Sequence, residues 1–294
     1  MKSFQIPSPK PGPFVLGPDS HRQPNVPQGT VTAHFHKSSV FPGTLRDYWV
    51  YVPSQYRDTK PANVMVFQDG GRYVDNDGPQ RVPIVFDNLI AQGKLPVTIC
   101  VFVNPGYFPP VEPGKLAADN DYDSGARRTG WVPSTDCMSN RGFEYDAMTD
   151  QYARLILDEI LPDVGKRVNL TDKAENRAIC GCSCGGICAF TAAWQRPDAF
   201  SKVMSHVGSF VNFMGGHVYP ALVRQSPRKP IRVFLQASSN DLEIAVGHWA
   251  LANMQMAAAL DYAGYDYRLE YGDGGHDMEQ SGAMLPESLQ WLWR

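Results

Sequence analysis

Residues 177–195 read RAICGCSCGGICAFTAAWQ and carry the strongest structural signal in the chain. The apolar run from Arg177 to Cys182 is typical of a buried strand. Residues Cys184 to Gln195 can form a helix, which Pro197 ends. The segment therefore predicts a strand, a tight turn with Ser183 at its apex, and a helix.

The same alternation of apolar strands and helices extends to both sides of this segment. Further candidate strands are residues 31–35, 45–52, 63–67, 97–103, 202–206, 231–237 and 267–271. Further candidate helices are residues 84–91, 148–160 (ended by Pro162), 247–263 and a short one that begins at Pro286. Strands that alternate with helices predict a mostly parallel, doubly wound α/β sheet with helices on both faces.

The domain organisation follows from where this alternation begins and where it is interrupted. Residues 1–30 hold seven of the 24 prolines, which predicts an irregular N-terminal arm. Residues 31–294 show no repeat and no second boundary, so we expect one domain. Residues 104–140 are rich in proline, glycine and charge, and we expect a long loop that borders the functional site.

Composition and charge exclude several classes of protein. Hydrophobic residues make up 43% of the chain and charged residues 19%, which excludes an intrinsically disordered chain. A net charge of -3 and a pI near 6.2 exclude a broadly basic nucleic-acid binder. No apolar run approaches the roughly 18 residues of a membrane span, so we expect no membrane partner.

The cysteines and the N-terminal residues bear on the cellular compartment. Four of the six cysteines, Cys180, Cys182, Cys184 and Cys188, lie within nine positions, where few pairings would close a useful loop. Reduced thiols favour the cytoplasm. The first residues contain no apolar core of a secretory signal, so we expect a cytoplasmic protein or a secreted one that has been trimmed.

Ser183 is the first candidate functional residue. Gly181, Ser183 and Gly185 form a G-x-S-x-G pattern after a strand and before a helix, which is typical of a nucleophile elbow. The glycines remove side chains that would collide in so tight a turn, and the backbone N–H of Cys184 can donate to an oxyanion. The alternative is an ordinary glycine-rich turn between a strand and a helix.

The surrounding thiols suggest two other interpretations, neither of which the spacing favours. Zinc sites use paired cysteines, whereas these four alternate along a strand, a turn and a helix and so point in different directions. A cysteine nucleophile is disfavoured because Cys182 and Cys184 flank the apex. We expect small buried residues here, no metal and no other cofactor.

A serine nucleophile needs a base, and the base needs a carboxylate to orient it. The chain order serine, acid, histidine that accompanies this elbow selects His276, which follows the last candidate strand. Asp241 follows the strand before it and is our candidate acid, with Glu243 as the alternative. The other possibility is that both carboxylates cap the next helix.

The loop after the third strand, residues 67–72, is the candidate source of a second oxyanion donor. Gly70 and Gly71 would let the main chain approach a substrate, and we expect Asp69 to brace the loop. A plain turn is the alternative.

Together, the elbow, the Asp69-Gly70 loop and the Gly-Gly-His loop at His276 resemble the Putative esterase family. This family includes enterochelin-type siderophore esterases, esterase D, feruloyl esterases and mycolyltransferases. The strings at 48–53, 141–146, 196–200 and 289–294 are most similar to enterochelin esterase-like members. The resemblance covers residues 30–294 and implies an α/β-hydrolase fold, Ser183 as nucleophile, His276 as base and Gly71 as the second oxyanion amide. Cysteines on both sides of the serine depart from the family pattern.

Three functions are compatible with these residues. The first is a serine carboxylic-ester hydrolase acting through an acyl-enzyme, on a siderophore lactone, an aryl (feruloyl-type) ester or a carbohydrate acyl ester. The others are an acyltransferase on the same scaffold and a catalytically silent hydrolase fold used for binding. The partner we expect is a small-molecule or glycan ester, and the sequence does not indicate an oligomeric state.

Arginines and aromatic residues are candidates for substrate contacts. The arginines, suited to an anionic or catecholate group, are Arg72, Arg127, Arg128 and Arg141. The aromatic residues, suited to stacking, are Tyr107, Phe108, Trp131 and Phe210. We single out Arg72, Trp131 and Phe210, and the alternative for each is a surface or packing role.

Overall fold

The computed structural model describes residues 4–109 and 138–294. The expected long loop at 104–140 therefore lies mostly outside the described residues, as do Trp131, Arg127 and Arg128.

The described residues form a mixed sheet of ten strands, and a two-stranded hairpin stands apart from it. In chain order the strands are β1 (Thr30–Lys37), β2 (Leu45–Val52), β3 (Asn63–Gln68), β4 (Thr98–Val103), β5 (Tyr107–Phe108), β6 (Met138–Ser139), β7 (Arg177–Cys182), β8 (Lys202–His206), β9 (Arg232–Ser238), β10 (Glu243–Ile244), β11 (Gly247–His248) and β12 (Asp266–Gly272). The sheet order is β12-β9-β8-β7-β3-β4-β2, where β2 also pairs with β1 and β5, and β5 with β6. The strands from β12 to β4 are parallel, whereas β2 joins them antiparallel.

Helices cover both faces of the sheet. They are α1 (Gly70–Val74), α2 (Val82–Ala91), α3 (Arg141–Asp146), α4 (Gln151–Arg154), α5 (Leu161–Gly165), α6 (Cys184–Gln195), α7 (Tyr219–Gln225), α8 (Trp249–Tyr262) and α9 (Glu279–Trp293). Strand β3 shows why two layers are needed: Val64 and Val66 pack into one core, and Met65 and Phe67 into the other. Both faces of this strand are apolar, so water must be excluded from each.

The observed elements confirm the predicted doubly wound, mostly parallel sheet with helices on both faces. The sequence did not indicate the short helices α1, α3 and α7, and it did not reveal that β2 runs antiparallel to its neighbours β1 and β4. These elements are too short, or too similar in pattern to the parallel strands, to be read from periodicity.

Two helix boundaries that were predicted from prolines, at Pro162 and Pro286, were wrong. A π-helical segment, Leu155–Ile160, joins α4 to α5, so residues 151–165 are helical throughout and continue past Pro162. Pro162 lies in the first turn of α5, where a backbone N–H is not required. Helix α9 begins at Glu279 and contains Pro286 in its interior. Burial of Leu285, Leu289 and Leu292 on one face outweighs the cost of an interior proline, about 3 kcal/mol.

The segment before β1 packs along the edge strand β12. The backbone N–H of Lys10 donates to the carbonyl of Tyr271 at 2.9 Å, and the N–H of Gly12 donates to Asp273 at 2.7 Å. A short 3-10 turn at Pro18–Ser20 follows. None of the helices in the described ranges is long and apolar enough to cross a lipid bilayer.

Candidate active site

Ser183 occupies the tight turn between β7 and α6. Its backbone has φ 59° and ψ -123°, a conformation that a non-glycine residue adopts only when its surroundings enforce it. A Cβ atom on Gly181 would lie 2.1 Å from the carbonyl oxygen of Gly185, so the turn can close only with glycine at this position. The geometry presents a partly exposed serine at the carboxyl edge of the parallel strands.

The structure brings Ser183, His276 and Asp241 into one chain of hydrogen bonds. The Oγ atom of Ser183 lies 2.8 Å from Nε2 of His276, and Nδ1 of the same ring lies 2.5 Å from Oδ1 of Asp241. Asp241 and His276 follow β9 and β12, which are neighbours in the sheet, so both loops lie at the same edge as the serine. In this arrangement the carboxylate accepts Nδ1–H, which leaves Nε2 free to accept the serine proton.

Burial and position distinguish the two candidate acids. The Asp241 side chain is fully buried, and its Oδ1 also accepts the backbone N–H of Leu242 at 2.7 Å. Glu243 is 78% exposed and lies 3.9 Å from His248 instead. The geometry therefore supports Asp241 and not Glu243 as the partner of His276.

The two predicted oxyanion donors differ in their surroundings. Cys184 is the first residue of α6, where backbone N–H groups have no partner within the helix. The N–H of Gly71 in α1 donates to Oδ1 of Asn104 at 3.0 Å. Asn104 follows β4, beside the Gly71 loop, and no sequence pattern indicated this contact because it depends on the pairing of β3 with β4.

An ion pair also holds this loop. Arg141 donates from Nε and Nη2 to the two carboxylate oxygens of Asp69, at 2.8 and 2.7 Å. The Asp69 side chain is only 3% exposed, and its backbone N–H donates to the hydroxyl of Tyr145 at 3.0 Å. Asp69 thus braces the loop, and Arg141, which was a candidate for substrate contact, is committed to Asp69.

Two residues that no sequence pattern indicated adjoin the serine and histidine. The hydroxyl of Ser209 lies 3.2 Å from that of Ser183. The Trp249 ring packs edge-on against the His276 ring, with centroids 5.7 Å apart. Ser209 follows β8 and Trp249 opens α8, so only the order of strands in the sheet brings them to the site.

The thiols around the elbow are buried and free. Burial raises the pKa of Cys182 to about 12, and burial followed by the charge of Asp146 raises the pKa of Cys184. A thiol with a raised pKa is a poor nucleophile at neutral pH. Among the residues with described positions, no three His, Cys, Asp or Glu side chains converge in a way that could hold a metal ion.

The three predicted substrate contacts have different outcomes. Arg72 is exposed on α1, beside the candidate oxyanion loop. Trp131 lies outside the described residues. The expectation for Phe210 is wrong: the side chain is 1% exposed and packs edge-on against Phe190 and Tyr219 in the core. An aromatic residue beside a polar turn gives no sequence signal that separates a core position from a surface one.

Several known proteins resemble this chain in sequence or in structure. The Iron(III) enterobactin esterase of Dickeya dadantii (strain 3937) is 27% identical over 152 residues, which are 47% of this chain and 34% of that protein. An enterobactin esterase from Shigella flexneri, solved in the presence of 2,3-di-hydroxy-N-benzoyl-glycine, has a TM-score of 0.66 and 20% identity, over 96% of this chain and 63% of that one. The chain thus spans about a third of the curated relative's length and 63% of the Shigella chain.

A ferulic acid esterase from Anaeromyces mucronatus, solved in complex with ferulic acid, has a TM-score of 0.66 and 17% identity, over 94% of each chain. These likenesses confirm the predicted α/β-hydrolase fold. The family described as "Putative esterase" matches residues 39–292. The chain therefore belongs to this esterase family.

Proposed function

We propose that this protein is a serine carboxylic-ester hydrolase that works through an acyl-enzyme on Ser183. The observation that carries the proposal is the hydrogen-bonded chain from Ser183 through His276 to the buried carboxylate of Asp241, built on a strained elbow. Strain at a partly exposed serine is difficult to explain by packing alone.

The acylation step follows from the order of donors and acceptors. Oγ of Ser183 attacks the ester carbonyl while Nε2 of His276 takes its proton, and Asp241 stabilises the imidazolium that forms. His276 then returns the proton to the leaving alcohol. Water, activated by the same imidazole, attacks the acyl-enzyme and releases the acid together with Ser183.

Backbone N–H groups would hold the oxyanion during both steps. Cys184 supplies one from the first turn of α6, where the helix dipole adds to the donor. Gly71 is our candidate for the second. The N–H of Gly71 donates to Oδ1 of Asn104. We expect the oxyanion either to share this N–H with Asn104 or to replace Asn104 as its acceptor.

The substrate class that we propose is an ester that carries a hydroxylated aromatic ring. The Shigella and Anaeromyces structures were solved with 2,3-di-hydroxy-N-benzoyl-glycine and ferulic acid, two ligands that share such a ring. Siderophore lactones and feruloyl esters are therefore our first candidates, before carbohydrate acyl esters.

The direct test is to label the protein with a fluorophosphonate and to identify the modified peptide by mass spectrometry. We expect one label, on Ser183. In Ser183→Ala the rate of p-nitrophenyl acetate hydrolysis should fall by several orders of magnitude. Ser226→Ala, at the end of α7, serves as the matched control and should behave as wild type. A Ser183→Ala variant that keeps more than about a tenth of the wild-type kcat would refute the nucleophile.

The substrate class has a separate test. Rates of hydrolysis should be compared for enterobactin, ethyl ferulate and an acetylated sugar under identical conditions. We expect the first two to exceed the third in kcat/KM. The reverse order would refute the aromatic class and leave the serine mechanism standing.

A further inference from the structure

Ser209 is held against the nucleophile by both its backbone and its side chain. The N–H of Ser183 donates to the carbonyl of His206 at 2.9 Å, and the N–H of Ser209 donates to the carbonyl of Ser183 at 3.1 Å. These bonds extend the pairing of β7 and β8 beyond the strand ends and fix the register of the two serines. The Ser209 side chain is fully buried, with its hydroxyl 3.2 Å from that of Ser183.

The turn that carries Ser209 is under backbone constraint. Val207 has φ 39°, an unfavourable value for a β-branched residue. A Cβ atom on Gly208 would lie 2.4 Å from Oγ of Ser205 and 2.7 Å from the ring of Phe210, so this position requires glycine. A turn that is both strained and tightly packed delivers one hydroxyl to the nucleophile.

Trp249 determines which way the Ser209 hydroxyl points. Its Nε1 lies 3.1 Å from Oγ of Ser209, and an indole nitrogen can only donate. Oγ of Ser209 therefore accepts from Trp249, and its own proton is available for donation. The thiol of Cys184 also contacts this hydroxyl, but sulfur is a weak acceptor compared with the Ser183 oxygen.

The single proton of Ser183 completes the sequence of donors. When Nε2 of His276 accepts that proton, Oγ of Ser183 has only lone pairs left for Ser209. The hydrogen bonds then run in one direction, from Trp249 to Ser209, to Ser183 and to His276.

We infer that the Ser209 hydroxyl donates a hydrogen bond to the nucleophilic oxygen of Ser183, and that Trp249 is a positioning residue that acts through Ser209. This inference rests on the proposed function. The bond keeps the Ser183 proton directed at His276. It also stabilises negative charge on Oγ, both as this atom loses its proton and when it leaves the acyl-enzyme.

The experiment measures the rate at which a fluorophosphonate labels Ser183, together with kcat and KM for p-nitrophenyl acetate. In Ser209→Ala we expect both the labelling rate and kcat to fall by about 5- to 30-fold, the loss of one hydrogen bond to a developing charge, with KM within about twofold. Ser205→Ala is the matched control, because Ser205 is also buried, lies on β8, and forms no side-chain hydrogen bond among the described residues. We expect wild-type rates from it.

A second variant separates donation from packing. Trp249→Phe keeps an aromatic ring beside His276 and removes the indole N–H. We expect a smaller loss of rate in the wild-type background, about 3- to 10-fold, and none in the Ser209→Ala background, because the indole acts through Ser209. If Trp249 only supported the histidine ring, Trp249→Phe would lower the rate by the same factor in both backgrounds. A rate loss in the double variant equal to the product of the two single losses would therefore overturn the role of Trp249.

Failure of this inference is distinguishable from failure of the proposed function. A labelled wild type together with a folded Ser209→Ala variant within twofold of its rate would overturn the inference alone. If Ser209→Ala does not fold, unchanged rates in Trp249→Phe would overturn it. A wild-type protein that no fluorophosphonate labels would refute the proposed function itself.

Discussion

The carboxylate of Asp241 is fully buried and lies 2.5 Å from Nδ1 of His276. Its second oxygen, Oδ2, forms no hydrogen bond among the described residues. The contact with the imidazole is therefore the main side-chain interaction of this carboxylate, as expected of a group that orients a histidine.

Replacing Asp241 with asparagine should leave the fold intact and lower kcat strongly. The amide can present an N–H to Nδ1 of His276 and so stabilise the tautomer that cannot accept the serine proton. The loss should approach about 10⁴-fold, the size seen for the same change in a serine protease. Steady-state hydrolysis of p-nitrophenyl acetate measures it.

Glu243→Gln is the control for that change, since Glu243 is exposed and does not contact His276. We expect wild-type kcat. If Glu243→Gln were inactive and Asp241→Asn active, the acid would be Glu243 and not Asp241.

The ion pair between Arg141 and Asp69 should contribute to stability as well as to the shape of the candidate oxyanion loop. Arg141→Gln leaves a carboxylate that is only 3% exposed without its counter-ion. We expect the free energy of unfolding to fall by about 2–3 kcal/mol, somewhat less than for a fully buried pair, because the Arg141 side chain is 27% exposed. Urea denaturation measures the change.

An exposed pair provides the comparison. Arg196 and Asp198 form the same bidentate contact with side chains that are 33% and 64% exposed. Arg196→Gln should cost less than about 1 kcal/mol. Equal costs for the two variants would show that burial of Asp69 does not set the strength of the Arg141 pair.

The sequence predicted the elements whose signals are local. The elbow at Ser183 was predictable because glycine spacing, an apolar strand and a helix all lie within one short segment. That Asp241 and His276 lie near Ser183 was predictable because parallel strands place their carboxyl ends at one edge, so that chain order alone identifies the loops.

The remaining contacts depend on which strands are neighbours, and no local pattern encodes this. Asn104 meets Gly71 only because β4 lies beside β3, and Ser209 meets Ser183 only because β8 lies beside β7. Phe210 was misassigned for the same reason, since its burial depends on α6 and α7 covering it. Pairing information between strands would have been required to place these residues.

The thiols that flank Ser183 should resist alkylation in the folded protein. Cys182 and Cys184 are buried, and burial raises the pKa of both, that of Cys182 to about 12. Iodoacetamide reacts with thiolates, so neither residue should be modified at pH 8 within an hour, whereas both should react in urea. Peptide mass spectrometry distinguishes the sites. Modification of either residue at the rate found in urea would show that the elbow opens readily.

Buried His206 should make the protein less stable in mild acid. The side chain is fully buried, its Nε2 has no hydrogen-bond partner among the described residues, and burial lowers its pKa to about 3. In the unfolded chain the histidine takes up a proton below about pH 6.5, whereas the native state does not do so until about pH 3. The free energy of unfolding therefore does not depend on this histidine's protonation above about pH 6.5. It falls progressively as the pH drops from there to about 3, because only the unfolded chain takes up the proton.

His206→Gln removes the titrating group, so the readout is the change in unfolding free energy between pH 7.5 and pH 5.5. This change should be smaller in the variant than in wild type by about 1.4 kcal/mol, the linkage for one proton over one pH unit below the unfolded pKa. Any constant cost of the substitution cancels in the difference. His217→Gln, which replaces an exposed histidine, is the control variant. Parallel pH curves for wild type and His206→Gln would mean that His206 takes up its proton equally in both states, contrary to its burial between β7 and β9.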